Sequence, residues 1–157
     1  MRIAIYTLGC KVNQYETQAM EQELTARGHE LVDFEQPADA YIINTCSVTA
    51  VSDKKSRQMI RRARKLNPDA IVAACGCYVQ THTDEVVELG IDLVGGTGQR
   101  MEFLRQLLTA AEKKTRVLVD DALHRHEFEI LPAGGQMSRT RAMLKVEDGC
   151  RNFCTYC

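Results

Sequence analysis

Three cysteines close together, Cys150, Cys154 and Cys157, stand at spacings of four and three residues. That spacing lets three thiolates from one short loop take three corners of an iron–sulfur cluster and leave the fourth iron without a protein ligand. Zinc is the competing metal, but a structural zinc site takes four protein ligands, and no fourth cysteine follows Cys157 in this sequence. The other four of the seven cysteines are Cys10, Cys46, Cys75 and Cys77. The N-terminus has no long apolar run and no small-residue cleavage site, so it does not read as a secretion signal. Without one, this many cysteines point to metal or catalysis over disulfides.

The upstream cysteines look scattered until the elements around them are drawn. Residues 3–8 are a short apolar run closing on Gly9, which reads as a buried strand. Asn13 with Glu16 makes a capping box for a helix running to about residue 27, where Gly28 supplies the stop. Strands are expected at 29–34, 40–43, 70–74 and 91–94. Helices are expected at 52–66 (capped by Ser52 or Asp53), 83–89 and 100–113. Strands alternating with helices over short connections predict an α/β fold, a doubly wound, mostly parallel five-stranded sheet with helices on both faces. That domain is expected over 1–115, followed by a linker over 116–140 with a possible edge strand at 117–119. A new strand at 141–146 then leads into the three-cysteine loop. In this arrangement Cys10, Cys46 and the Cys75/Cys77 pair each come just after a parallel strand. Ligands bind outside the carboxyl ends of such strands, so thiols from three loops can meet on one edge and hold a second cluster. The plainer alternative is that buried free cysteines act as small core hydrophobes.

The same residues carry a family resemblance. Thr7-Leu-Gly-Cys10-Lys-Val-Asn13, Asn44-Thr-Cys46-Ser-Val48 and Gly76-Cys77-Tyr-Val-Gln80 resemble the three cysteine motifs of the radical S-adenosylmethionine methylthiotransferases. Asp148-Gly-Cys150-Arg-Asn-Phe-Cys154-Thr-Tyr-Cys157 resembles that family's radical cluster loop. The resemblance implies two 4Fe–4S clusters. Cys10, Cys46 and Cys77 would hold an auxiliary one, and Cys150, Cys154 and Cys157 would hold the one that binds S-adenosylmethionine. Cys75 has no counterpart in the motifs. Lys11-Val12-Asn13 and Asp53-Lys54-Lys55-Ser56-Arg57 are similar to the branch that inserts a methylthio group at C2 of N6-threonylcarbamoyladenosine beside the tRNA anticodon. Other branches act on another tRNA adenosine or on a ribosomal protein. The resemblance further implies an electron donor protein and a cytoplasmic setting. It identifies this chain with the N-terminal part of such an enzyme, the segment 141–157 being the start of a truncated barrel; alone it is expected to be inactive.

Whole-chain charge is uninformative, with 20 Lys and Arg against 21 Asp and Glu. Its placement is not. In the helix at 52–66, Lys54, Lys55, Arg57, Arg61, Arg62, Arg64 and Lys65 face a single acid, Asp53. That face is either a solvated basic surface or a phosphate-binding surface for tRNA. His29, His82, His124 and His126 lack metal spacing with the cysteines. Gly95-Gly96-Thr97-Gly98 lacks the Lys and Ser/Thr of a P-loop and reads as a strand–helix turn. No apolar segment is long enough to span a bilayer, so no membrane partner is expected. Two competing readings remain: a non-catalytic zinc-binding α/β module, and a flavodoxin-like binding module, which would leave three strand-end cysteines without a purpose.

Overall fold

The computed structural model describes residues 1–109, 114–125, 128–131, 145–146 and 155. Cys150, Cys154, Cys157 and His126, and most of the strand expected at 141–146, lie outside the described residues. Eleven principal elements follow in order: β1 (Arg2–Thr7), α1 (Lys11–Ala26), β2 (Glu30–Val32), β3 (Ala40–Thr45), α2 (Ala50–Leu66), β4 (Ile71–Gly76), α3 (Cys77–Thr81), α4 (Thr83–Glu88), β5 (Leu93–Gly95), α5 (Arg100–Leu108) and β6 (Arg116–Leu118).

The strands form one sheet in the order β2-β1-β3-β4-β5-β6, and every pairing is parallel. Among the described residues the sheet therefore has six strands, not five. Its sixth continues past residue 115, because Arg116–Leu118 pairs with Leu93–Gly95. A three-residue strand carries little periodicity of its own and is held by its neighbour. All six residues of β3 are buried, as a central parallel strand covered on both faces must be. Its side chains alternate between two cores. Tyr41 and Ile43 pack with Met59, Ile60 and Ala63 of α2 and with Tyr78 and Val86. Ala40 and Ile42 pack with Met20 and Leu24 of α1 and with Phe103, Leu104 and Leu107 of α5.

Helix starts differ from the sequence expectation in an instructive way. α1 begins at Lys11 with Cys10 in the N-cap position, and no side chain caps it. The expected capping box does not form, because Asn13 and Glu16 are both buried and turned to other partners. α2 is capped not by Ser52 or Asp53 but by Thr49, whose hydroxyl accepts from the Ser52 amide at 3.2 Å. The helix expected at 83–89 is preceded by a further short one, α3, that starts on Cys77 itself.

Arg64 ties the far end of α2 to the sheet. Its guanidinium donates to the carbonyls of Pro68 (3.3 Å), Ala70 (2.9 Å) and Gly90 (3.0 Å) and to Asp92 Oδ2 (2.7 Å). Asp92 Oδ2 also accepts from the Val72 amide of β4 at 2.8 Å. Arg64→Gln is expected to lower unfolding free energy by about 2 kcal/mol, the worth of charge-assisted hydrogen bonds to a partly buried acceptor. Arg61→Gln, on the exposed side of the same helix, is expected to change it by less than about 0.5 kcal/mol. Urea denaturation of both variants checks the difference.

Candidate metal centre at the carboxyl edge of the sheet

β1, β3 and β4 are adjacent and parallel, and their registers bring Thr7 opposite Asn44 and Thr45 opposite Gly76. All three therefore finish at one level. Cys46 follows β3 directly, Cys77 follows β4 directly, and Cys10 follows β1 after two residues, Leu8 and Gly9. The chain leaves β1 through α1 to one face and leaves β3 through α2 to the other. Cys10 and Cys46 thus flank the place where the winding reverses, which is where open α/β sheets bind ligands.

Glycines let the three loops close in. Gly9 has φ +102°, and a Cβ there would stand 2.7 Å from both Cβ and Sγ of Cys46. Gly76 has φ +100°, and a Cβ there would stand 2.4 Å from the Thr45 carbonyl oxygen and 2.8 Å from Asn44 Oδ1. That Asn44 oxygen is buried without a hydrogen-bond donor among the described residues. Each glycine thus makes room for the next cysteine loop.

A buried polar frame fixes the loops to one another. Asn13 Nδ2 donates to the Leu8 carbonyl (2.6 Å) and the Thr45 carbonyl (2.9 Å). Asn44 Nδ2 donates back to the Asn13 carbonyl (3.0 Å) and to Thr17 Oγ1 (3.1 Å). Thr45 Oγ1 donates to the Cys75 carbonyl at 2.6 Å and accepts from the Val79 amide. Ser56 Oγ donates to the Cys46 carbonyl at 3.3 Å. Gln80 closes the far side, accepting from the Thr97 amide (2.9 Å) and donating to the Asp120 carbonyl (2.7 Å). The Gly95–Gly98 turn is thereby held by its own chain.

The thiols differ in access. Cys10 is exposed, Cys77 half-buried, and Cys46 and Cys75 buried. Burial pushes the Cys77 thiol above its ordinary pKa, and the neighbouring Cys10 and Cys46 add to the shift. Cys75 lies inside β4, and burial pushes it up to about 11. It is a core residue of the α1/α5 face. Among the described residues no three Cys, His, Asp or Glu side chains already close on a single metal ion. The glycine cradle and a donor set of three thiols suit a cluster, in which each thiolate takes a different iron. One zinc would need all its ligands on one centre.

Beneath this edge lies a buried ion pair. Arg100, 1% exposed, donates from Nε and Nη2 to Glu16 Oε2 (3.2 and 2.8 Å) and from Nη1 to the Gly96 carbonyl (2.6 Å). Burial works against the Arg100 charge, but Cys75 and Glu16 outweigh it and hold the guanidinium above its ordinary pKa. Sequence reasoning missed this pair, yet a signal was present. Arg100 occupies the first place of the buried stripe Arg100, Phe103, Leu104, Leu107, where helical spacing calls for an apolar residue.

The basic helix divides. Arg57 donates to Tyr78 Oη at 3.0 Å and pairs with Glu85 at 3.3 Å, Arg62 pairs with Glu35, and Arg64 is the structural tie described above. Lys54, Arg61 and Lys65 are exposed, Lys55 is half-buried, and none of the four has an ion pair among the described residues. His82 stacks on Tyr78, His29 lies against the N-terminal amine, and His124 bonds Asp121.

Gly76→Ala is expected to cost at least about 3 kcal/mol, since backbone strain adds to a clash with a main-chain oxygen. Gly28→Ala, at φ +80° with nothing within 4 Å, should cost only the left-handed backbone term of about 1 kcal/mol. Thermal melts of the two variants separate crowding from conformation.

A family model described as "Uncharacterized protein family UPF0004" matches residues 2–96. The protein named threonylcarbamoyladenosine tRNA methylthiotransferase MtaB from Bacillus subtilis (strain 168) is 45% identical over 99% of this chain and 35% of its own length. The protein of the same name from Aquifex aeolicus (strain VF5) is 39% identical over 100% of this chain and 39% of its own length. A protein named tRNA-2-methylthio-N(6)-dimethylallyladenosine synthase, from Cereibacter sphaeroides (strain ATCC 17025 / ATH 2.4.3), is 30% identical over 99% of this chain and 37% of its own length. The chain therefore spans somewhat over a third of the curated relatives it matches. The family model covers more than half of the chain and takes in five of the six strands found among the described residues, so the chain belongs to the UPF0004 family.

Proposed function

We propose that this chain is the auxiliary-cluster part of a tRNA methylthiotransferase, acting at C2 of N6-threonylcarbamoyladenosine beside the anticodon. The observation that carries the reading is the arrival of Cys10, Cys46 and Cys77 at the ends of three adjacent parallel strands. The higher identity to relatives named for threonylcarbamoyladenosine, against 30% for one named for dimethylallyladenosine, supports the choice of branch. In this reading Cys10, Cys46 and Cys77 hold one 4Fe–4S cluster, and Cys150, Cys154 and Cys157 hold a second that takes S-adenosylmethionine. When bound, those groups supply the radical and sulfur chemistry. The chain's own residues orient the thiols through the Asn13–Asn44 frame and keep the far side of the cysteine edge packed. Reduction by a donor protein and a cytoplasmic setting belong to the same reading.

Anaerobic reconstitution tests it. The chain should take up iron and sulfide in equal amounts. Cys10→Ala, Cys46→Ala and Cys77→Ala together should lose half of both, and Cys75→Ala should lose none. Stable uptake of zinc alone, with no sulfide, would favour the zinc module instead.

The tRNA surface is narrower than the sequence suggested. Lys54, Arg61 and Lys65 fall seven and four residues apart on the exposed face of α2, one stripe about 16 Å long at 1.5 Å per residue. Arg64 is withdrawn from this surface because it is committed to the fold. Arg57, Arg62 and Lys55 contribute at its flanks. Lys54→Glu, Arg61→Glu and Lys65→Glu together should weaken binding of an anticodon stem-loop RNA and reduce the log–log salt slope by about 2. Filter-binding titrations across salt concentrations measure both; an unchanged slope would make α2 a solvated face.

A further inference from the structure

The Arg100–Glu16 pair links two elements far apart in the chain, and its geometry reaches the cysteine edge through one shared atom. The Gly96 carbonyl oxygen accepts from Arg100 Nη1 at 2.6 Å and from the Gly76 amide at 3.0 Å. Gly76 is the residue immediately before Cys77. Glu16, on the other side of the pair, belongs to α1, the helix that starts from Cys10. The side chains are 1% and 6% exposed, and a buried pair of this kind is weak evidence for stability in itself. An apolar pair of the same volume would fill the space between α1 and α5 at least as well. What an apolar pair would not do is hold the Gly96 carbonyl, or keep two full charges in a low-dielectric layer directly beneath the thiols. There, charges act on neighbouring charged groups with little screening.

We infer that Arg100 and Glu16 are positioning residues for the auxiliary cluster, fixing the Gly76–Cys77 backbone through the Gly96 carbonyl and setting the reduction potential at the three-thiol edge by their opposed charges. This rests on the reading that Cys10, Cys46 and Cys77 hold a 4Fe–4S cluster. One-electron reduction adds one negative charge to the cluster–thiolate unit. Arg100 stabilises that added charge and Glu16 opposes it, so removing either charge shifts the potential with a defined sign. A purely structural role would loosen the site in both variants without that opposition.

The test uses the full chain with Cys150, Cys154 and Cys157 changed to Ala, so that a single reconstituted cluster is titrated anaerobically and followed by electron paramagnetic resonance. Failure of this parent to take up a cluster would overturn the underlying reading. If the parent loads, Glu16→Gln is expected to favour the reduced form about tenfold, which is 59 mV upward for one electron. Arg100→Gln is expected to disfavour it by a similar factor. Potentials that stay put, or that move in the same direction in both variants, overturn the inference and leave the cluster assignment standing. If neither single variant folds, Glu16→Met with Arg100→Met replaces the pair by apolar side chains, an exchange that buried ion pairs tolerate. Hydrogen exchange of that double variant should show the Gly76 amide losing protection at least tenfold while amides of β1 and β3 keep theirs. Unchanged protection at Gly76 would equally overturn the positioning role.

Discussion

Two buried side-chain amides hold the working edge of this sheet. Asn13 lends its Nδ2 to carbonyls from the β1 loop and the end of β3, and Asn44 returns the bond to the Asn13 backbone. Main-chain carbonyls at strand ends normally face water, but here they are sealed under α1. Leaving such a group unpaired costs roughly 1–3 kcal/mol, so the reciprocal pair is what makes a dry, crowded edge possible. The other features lean on it. Gly9 can press against Cys46 only because the loop is pinned on both sides, and Thr17 joins by meeting both Asn44 and Thr7.

This explains why the first helix does not start as its sequence suggests. A capping box stabilises first-turn amides that water could otherwise satisfy. Asn13 and Glu16 have stronger claims on them: a pair of sealed carbonyls for one and a buried guanidinium for the other. Local capping loses to tertiary need, and Cys10 is left as an uncapped N-terminus.

Much of the architecture was legible in the residues. The alternation of apolar runs with helical stripes marked five strands and the parallel topology, because right-handed crossovers leave few alternatives. The position of Cys10, Cys46 and the Cys75/Cys77 pair after strand ends put them on one edge, since chain order alone brings the ends of parallel strands together; the choice of Cys77 over Cys75 came from the resemblance. What could not be read was whatever depends on partners distant in sequence. β6 showed in the sequence only as a possible edge strand at 117–119, because its three residues, Arg116–Leu118, are held by pairing with β5. Arg64 looked like one of seven equivalent cations and is instead a brace reaching to Gly90 and Asp92. α3 was invisible because Gly76, which looks like a stop, occupies a backbone conformation that turns a strand directly into a helix.

The separation between Glu16 and Arg100, 84 residues, has a consequence for how the molecule is made. Contacts that bridge long stretches of chain form late, since the loop between them must be closed first. While the chain emerges during synthesis, α1 has its carboxylate in place long before any guanidinium arrives to meet it. Until α5 docks, Glu16 has reason to stay hydrated, and α1 cannot settle fully onto the sheet. Docking of α5 is thus the event that gives Glu16 its counter-charge and completes the layer beneath the cysteine edge, so that edge is finished only after the chain has been made as far as Arg100.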